Sequence, residues 1–300
     1  MVLYSFGDQP ISVTLPDATQ KERDFIETSF FTARPGRQLP TPAQVKALSK
    51  DVGTRAQPTP IKYDDLGLIV KFGPHVTTTE ALNLWMIKQV FGDDIPVPEL
   101  FGWRVDDEGY VFIYMELVRG QTLEECWDHL SLTDKTAIKD QLSQILGNLR
   151  KLAQDPSDRF IGSITRGHLL DYVFIDQPKT GPFPDVKTFN DWFALLHQLR
   201  FAHKYNDPNR CLLPDTVEIK LTHGDLNRRN IIVVSTSPVR IAIIDWQQSG
   251  WYPDYWEYCK AAYTCWYEDE WRKDYIDQFL QPQTDVYFVF SEYTMAMGAV

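Results

Sequence analysis

Three oxygen-bearing side chains and one ammonium carry the chemistry that can be read in this chain. Asp225 and Asn230 stand in the run His223-Gly224-Asp225-Leu226-Asn227-Arg228-Arg229-Asn230, and Asp245 follows two apolar stretches, 231–234 and 241–244. Those stretches flank Ser235-Thr236-Ser237-Pro238, a turn-rich tetrapeptide, so the local expectation is a β-hairpin. Closing it brings Asp225, Asn230 and Asp245 to one end. Two carboxylates and an amide oxygen make a hard-oxygen set that Mg²⁺ accepts, with positions left for phosphate oxygens and water. The bland alternative for any one of them is a polar turn between core strands.

Lys71 is the ammonium. It sits near the end of the apolar strand 66–72, ahead of Gly73-Pro74, and can be read either as a phosphate-facing lysine or as a solvated strand end. A helix is expected to start near Thr77, with Glu80 in its first turn and Ala81, Leu84, Trp85 and Val90 as its apolar positions. Glu80 has two readings. It could pair with Lys71 and aim the ammonium into a cleft, or it could close a Thr77-x-x-Glu80 capping box on the helix N-terminus.

The spacing Asp-x-x-x-x-Asn after a histidine, with an Asp after the next strand and a strand lysine far upstream, is that of kinase catalytic and metal loops. With Gly224 in place of the usual Arg and Asp245-Trp246-Gln247 in place of Asp-Phe-Gly, it resembles the aminoglycoside phosphotransferase and choline kinase family. The resemblance runs from about Leu66 to Tyr258 and implies an α+β, two-lobed protein-kinase-like fold. The small N-lobe would carry an antiparallel sheet and one main helix within residues 1–117, and the larger, mostly helical C-lobe would fill 118–300. It further implies ATP and Mg²⁺ as cofactors, with Asp225 as the catalytic base and Asn230 and Asp245 as metal ligands. Lys71 and Glu80 would serve the nucleotide phosphates, and Glu116 and Val118 would offer hinge backbone groups to adenine. The chain lacks the Gly-x-Gly-x-x-Gly loop of protein kinases upstream of Lys71, which weakens a protein-kinase reading more than a small-molecule one.

The acceptor is less legible. After Asp245 comes Ser249-Gly250-Trp251-Tyr252-Pro253-Asp254-Tyr255-Trp256-Glu257-Tyr258, a mixture of rings and carboxylates suited to organic ammonium groups. Asp254, Glu257 and Trp251 are therefore candidate acceptor contacts, for a hydroxyl-bearing molecule such as a cationic amine alcohol or an aminoglycoside-like compound. The competing reading is that these rings pack the core beneath the metal loop.

Other elements frame these residues. Thr41-Pro42 should cap a short helix over 42–48, and the segment from Met1 to about Asp51 should lie outside the first lobe. A strand pair should turn at 106–109. An amphipathic helix is expected from Thr133 to Leu152, with Ile138, Leu142, Ile145, Leu146 and Leu149 on one face. The stretch 155–184, rich in Gly, Pro and Asp, should border the acceptor side.

At 300 residues and 43% hydrophobic content the chain can bury a large core, and its net charge of -11 argues against a nucleic-acid or anionic-membrane partner. Cys126, Cys211, Cys259 and Cys265 show no metal-binding or disulfide spacing, and no leader or spanning segment is visible. A cytoplasmic protein is expected. The rival to an active kinase is a catalytically silent, kinase-like nucleotide-binding or scaffold protein, and a protein Ser/Thr kinase ranks behind both.

Overall fold

The computed structural model describes residues 2–55, 57–199 and 202–298. A five-stranded antiparallel sheet organises the first half, in the order Glu22–Asp24, Leu100–Val105, Val111–Glu116, Leu68–Gly73 and Ile61–Tyr63. Alternation along Leu68–Gly73 decides its two faces. Leu68, Val70 and Phe72 join Phe101, Phe112 and Tyr114 in a core on the outer face. Ile69 and Lys71 point the other way and line a cleft.

The outer face is covered by part of the N-terminal segment, the segment expected to lie outside the first lobe. Phe30, Leu39 and Val45 are buried in that core. Val45 belongs to the helix Pro42–Leu48, whose N-cap Thr41 forms a capping box with Gln44. Residues Val2–Val13 go elsewhere. The hairpin of Val2–Phe6 and Gln9–Val13 pairs with a strand at Leu152–Gln154, Tyr4 opposite Gln154, which places it against the second half of the chain and not outside the first.

That pairing also corrects a helix end. The amphipathic helix runs Leu132–Leu149, started by a Ser131–Asp134 capping box, with Ile138, Leu142, Ile145, Leu146 and Leu149 buried as expected. Leu152 continues the apolar spacing but belongs to the strand opposite Phe6. An apolar residue satisfies either geometry, and the distant partner strand decides between them.

The hairpin at the chemical centre forms with strands Ile231–Thr236 and Val239–Ile243. A third strand, Gln121–Thr122, pairs with Ile232 and Val233, where the preceding Gly120 is obligatory: a Cβ there would stand 2.3 Å from the Val233 carbonyl oxygen. This contact lays the chain leaving the first half directly on the hairpin. Beneath it, Ile219–Thr222 pairs antiparallel with Gly250–Pro253, and the helices Val186–Leu196, Trp256–Tyr263 and Thr284–Met297 complete the larger half. The stretch between Leu152–Gln154 and Val186–Leu196 is largely irregular, pinned by bridges from Ile161 to Phe183 and from Gly162 to Trp251. The mixed architecture, with one helix on a small antiparallel sheet and a larger helical half, is the two-lobed arrangement expected. Among the described residues no helix is long and apolar enough to cross a membrane.

Candidate active site

The helix Thr78–Phe91 lies against the sheet and buries Glu80 and Asn83 along with its apolar face. Glu80 Oε1 is 2.9 Å from Lys71 Nζ. No side chain caps the N-terminus of this helix, so of the two readings of Glu80 the ion pair is the one that forms. On its other side Lys71 Nζ meets Asp245 Oδ1 at 2.7 Å. Burial by itself lowers the Lys71 pKa, but the two carboxylates outweigh it and hold the ammonium above its ordinary pKa. Burial pushes Glu80 upward, and the neighbouring ammonium opposes that shift.

Asp225 follows the strand Ile219–Thr222 through a turn that requires glycine. Gly224 has φ +79, and a Cβ on it would sit 3.0 Å from the Gln248 carbonyl oxygen. Asn227 Nδ2 donates to Asp225 Oδ1 at 2.9 Å, and Asn230 Nδ2 donates to Oδ2 at 2.8 Å and to the Asp225 carbonyl at 2.9 Å. Both carboxylate oxygens are thus anchored. Burial raises the Asp225 pKa, partly countered by the charge of Lys260.

His223 joins this loop to the strand before Asp245. The Asp225 backbone N–H donates to His223 Nδ1 at 3.1 Å, and Nε2 lies 3.0 Å from the Ile244 carbonyl. An accepting Nδ1 assigns the proton to Nε2, the neutral tautomer. Its ring meets Trp246 edge-on at 4.6 Å. Asp245 adopts a left-handed backbone, φ +62 and ψ +64, uncommon for a residue with a side chain.

Lys71, Glu80 and Asp245 share one cavity of about 380 Å³ with Glu116 and Val118, a size suited to a small ligand. At its far end the Val118 N–H closes a tight turn on the Glu116 carbonyl at 3.2 Å, and the Leu117 N–H is taken by the Gly67 carbonyl. The residues fit a nucleotide with its metal. Asp245 supplies a carboxylate oxygen, and Asn230, whose nitrogen is committed to Asp225, has Oδ1 left to offer. Among the described residues no group of three or more His, Cys, Asp or Glu could hold a metal by itself. A cation here would complete its shell with phosphate and water oxygens.

The acceptor residues named from sequence are not in this cleft. Trp251 is wholly buried and packs on Tyr4 at 5.6 Å. Asp254 pairs with Arg150 at 3.6 Å and opens on a separate hollow beside Lys220 and Phe279. Glu257 is buried in the helix Trp256–Tyr263, and its two oxygens accept the backbone N–H groups of His223 at 2.6 Å and Gly224 at 3.1 Å. It braces the loop that carries Asp225 and does not face a ligand. Trp246, Tyr252, Tyr255 and Trp256 are equally buried, so the core-packing reading of this aromatic run holds. Their bulk is what excludes water from beneath the loop.

Sequence reading passed over Lys260. Its Nζ is buried and donates to Asp171 Oδ1 at 2.7 Å and to Gln248 Oε1 at 3.1 Å, while Trp256 Nε1 donates to Asp171 Oδ2 at 2.8 Å. The available signal was a lysine in a helix whose other residues, Glu257 apart, are aromatics, alanines and a cysteine. Asp171, in irregular chain, gave none.

The family model described as "Phosphotransferase enzyme family" matches residues 64–287. Among solved structures, the GDP complex of wild-type aminoglycoside 2'-phosphotransferase-IIIa is similar with a TM-score of 0.53 at 15% identity, covering 89% of this chain and 87% of that one. The apo form of a thermostable mutant of aminoglycoside phosphotransferase APH(4)-Ia gives 0.50 at 14% identity, covering 80% of each chain. At such identities these likenesses speak to the fold. No match was found among curated proteins.

Proposed function

The chain belongs to the phosphotransferase enzyme family, and from that premise we propose that it transfers the γ-phosphoryl group of ATP to a hydroxyl of a small molecule. The observation that carries this reading is that Asn230, which holds Asp225 and whose carbonyl accepts the Ile244 N–H at 2.9 Å, lies beside Asp245, which Lys71 meets at 2.7 Å. Asp225 would orient the acceptor hydroxyl and take its proton as the new O–P bond forms and the bond from Pγ to the β-phosphate oxygen breaks, releasing ADP. Asn230 and Asp245 would hold Mg²⁺, which supplies charge neutralisation at the phosphate oxygens. Lys71, kept cationic by its two carboxylates, would add positive charge there. Backbone groups at Glu116 and Val118 would face adenine. His223 and Glu257 touch neither substrate and would hold Asp225 in place.

The acceptor is a small hydroxyl compound. The carboxylates that pointed to a cationic one, Asp254 and Glu257, are engaged elsewhere, so these two residues do not supply the contact to a positive charge on the acceptor. Structural neighbours that are aminoglycoside phosphotransferases make aminoglycosides the first compounds to test, followed by amino alcohols and sugars, with nucleotide consumption as readout. Asp225→Asn is expected to lower transfer by about 10²- to 10⁴-fold while ATP binding, measured by calorimetry, changes little. Transfer at the wild-type rate in that variant rejects the assignment. Mg²⁺-dependent ATP binding with no turnover on any acceptor would favour the silent, kinase-like alternative.

A further inference from the structure

Tyr172 lies in the irregular stretch before the helix Val186–Leu196. Its backbone N–H donates to Gln248 Oε1 at 3.0 Å, the same oxygen that Lys260 Nζ contacts. The residue before it, Asp171, is buried and takes the Lys260 and Trp256 hydrogen bonds. Tyr172 therefore stands on a polar network rooted in the turn Trp246–Gln248 that directly follows Asp245. Its hydroxyl reaches into the other half of the molecule and donates to Gln57 Oε1 at 3.1 Å. Gln57, with Lys62, Lys71 and Asp245, lines the nucleotide cavity.

The Tyr172 side chain is partly exposed, at 37%, and what burial it has raises the phenol's pKa, with Lys71 opposing and Asp245, Glu80 and Asp225 adding to the rise. It is a hydrogen-bond donor at neutral pH, and the charges it feels are those of the candidate site. The chain has no Gly-x-Gly-x-x-Gly loop before Lys71 to close over phosphates. A bond across the front of the cleft meets that need by other means.

We infer that Tyr172 and Gln57 form a latch across the phosphate end of the cleft, and that Tyr172 is a positioning residue holding the two halves in register over a bound nucleoside triphosphate. The role over nucleotide rests on the phosphotransferase reading, whereas the latch itself can be measured without ligand. Tyr172→Phe removes one O–H and leaves the ring. In nucleotide-free protein, amide exchange at Thr59, whose N–H is held by the Asp51 carboxylate at 3.1 Å, is expected to rise about three- to tenfold, the scale of one lost neutral hydrogen bond, with the Thr78–Phe91 helix unchanged. Gln57→Ala should reproduce the effect, and the double variant should go no further than either single one, because both remove the same bond. ATP dissociation, followed by stopped flow, should quicken by a similar factor in all three.

Unchanged exchange at Thr59 in Tyr172→Phe overturns the latch, as do effects that multiply in the double variant. Faster exchange with unaltered ATP dissociation overturns the positioning role. If the wild-type protein binds no ATP yet Tyr172→Phe still loosens Thr59, the nucleotide reading fails and the latch stands.

Discussion

Asp225 meets a ligand with its plane already set, because Asn227 and Asn230 each hold one of its oxygens. Glu257 acts one step behind, accepting the N–H groups of the two residues before it. Such backbone donors, buried in a turn with no ladder partner, would otherwise be left unpaired. A different buried group sets a pH dependence of the fold. His197 is buried beside Tyr205, Asp207 and Tyr293, its Nε2 3.0 Å from Tyr205 Oη and 3.7 Å from Asp207 Oδ2, its ring stacked on Tyr293 at 4.6 Å. Burial lowers its pKa, and Asp207 only partly restores it. The unfolded chain then binds a proton at higher pH than the folded one, so stability should fall as pH drops through the ordinary histidine range near 6.5. Urea melts at pH 7.5 and 5.5 are expected to show that loss, and His197→Asn should reduce it. An equal slope in the variant would assign the loss to other groups.

At the scale of elements, the turn from the strand Ile219–Thr222 into the Asp225 loop works because residue 224 has no side chain. A left-handed backbone with a carbonyl close to the Cβ position admits alanine only with strain of about 1–2 kcal/mol. Gly224→Ala should therefore lower stability by roughly that amount in denaturant melts. It should also reduce kcat more than nucleotide affinity, since the displaced group is Asp225 and not the cavity wall. The helix Trp256–Tyr263 shows the same division of labour. Trp256 packs on Phe174, Phe189 and Phe290, which fixes the helix so that Glu257 and Lys260 reach the loop and Asp171. Its aromatics position chemistry without touching a ligand.

For the molecule as a whole, the two halves are joined at the site itself. Besides the Lys71–Asp245 pair, Asn83 on the helix Thr78–Phe91 donates to the Trp246 carbonyl at 2.8 Å, and Gln247 Nε2 donates to the His75 carbonyl at 3.1 Å. Asn83 is wholly buried, so its amide is the tie that water cannot replace. Asn83→Ala should cost about 1–3 kcal/mol and weaken Mg·ATP binding several-fold, because the turn after Asp245 loses its anchor to the first half. Calorimetry showing unchanged affinity would place the coupling between the halves elsewhere.

The chemical set could be read from the chain because it is written in local spacing. A hairpin forces Asp225, Asn230 and Asp245 to one end whatever surrounds it, and strand alternation turns Lys71 away from Val70 and Phe72. Glu80 was ambiguous because a capping box and an ion pair use the same first-turn glutamate, and only the packing of helix on sheet chose between them. The acceptor contacts were misplaced for a related reason: aromatic rings beside carboxylates look alike whether they face solvent or a core. Burial of Trp251 and Glu257, the hairpin of Val2–Val13 on Leu152–Gln154, and the reach of Tyr172 to Gln57 all depend on partners far along the chain. No local pattern encodes those meetings, because they follow from which surfaces the folded halves have left to cover.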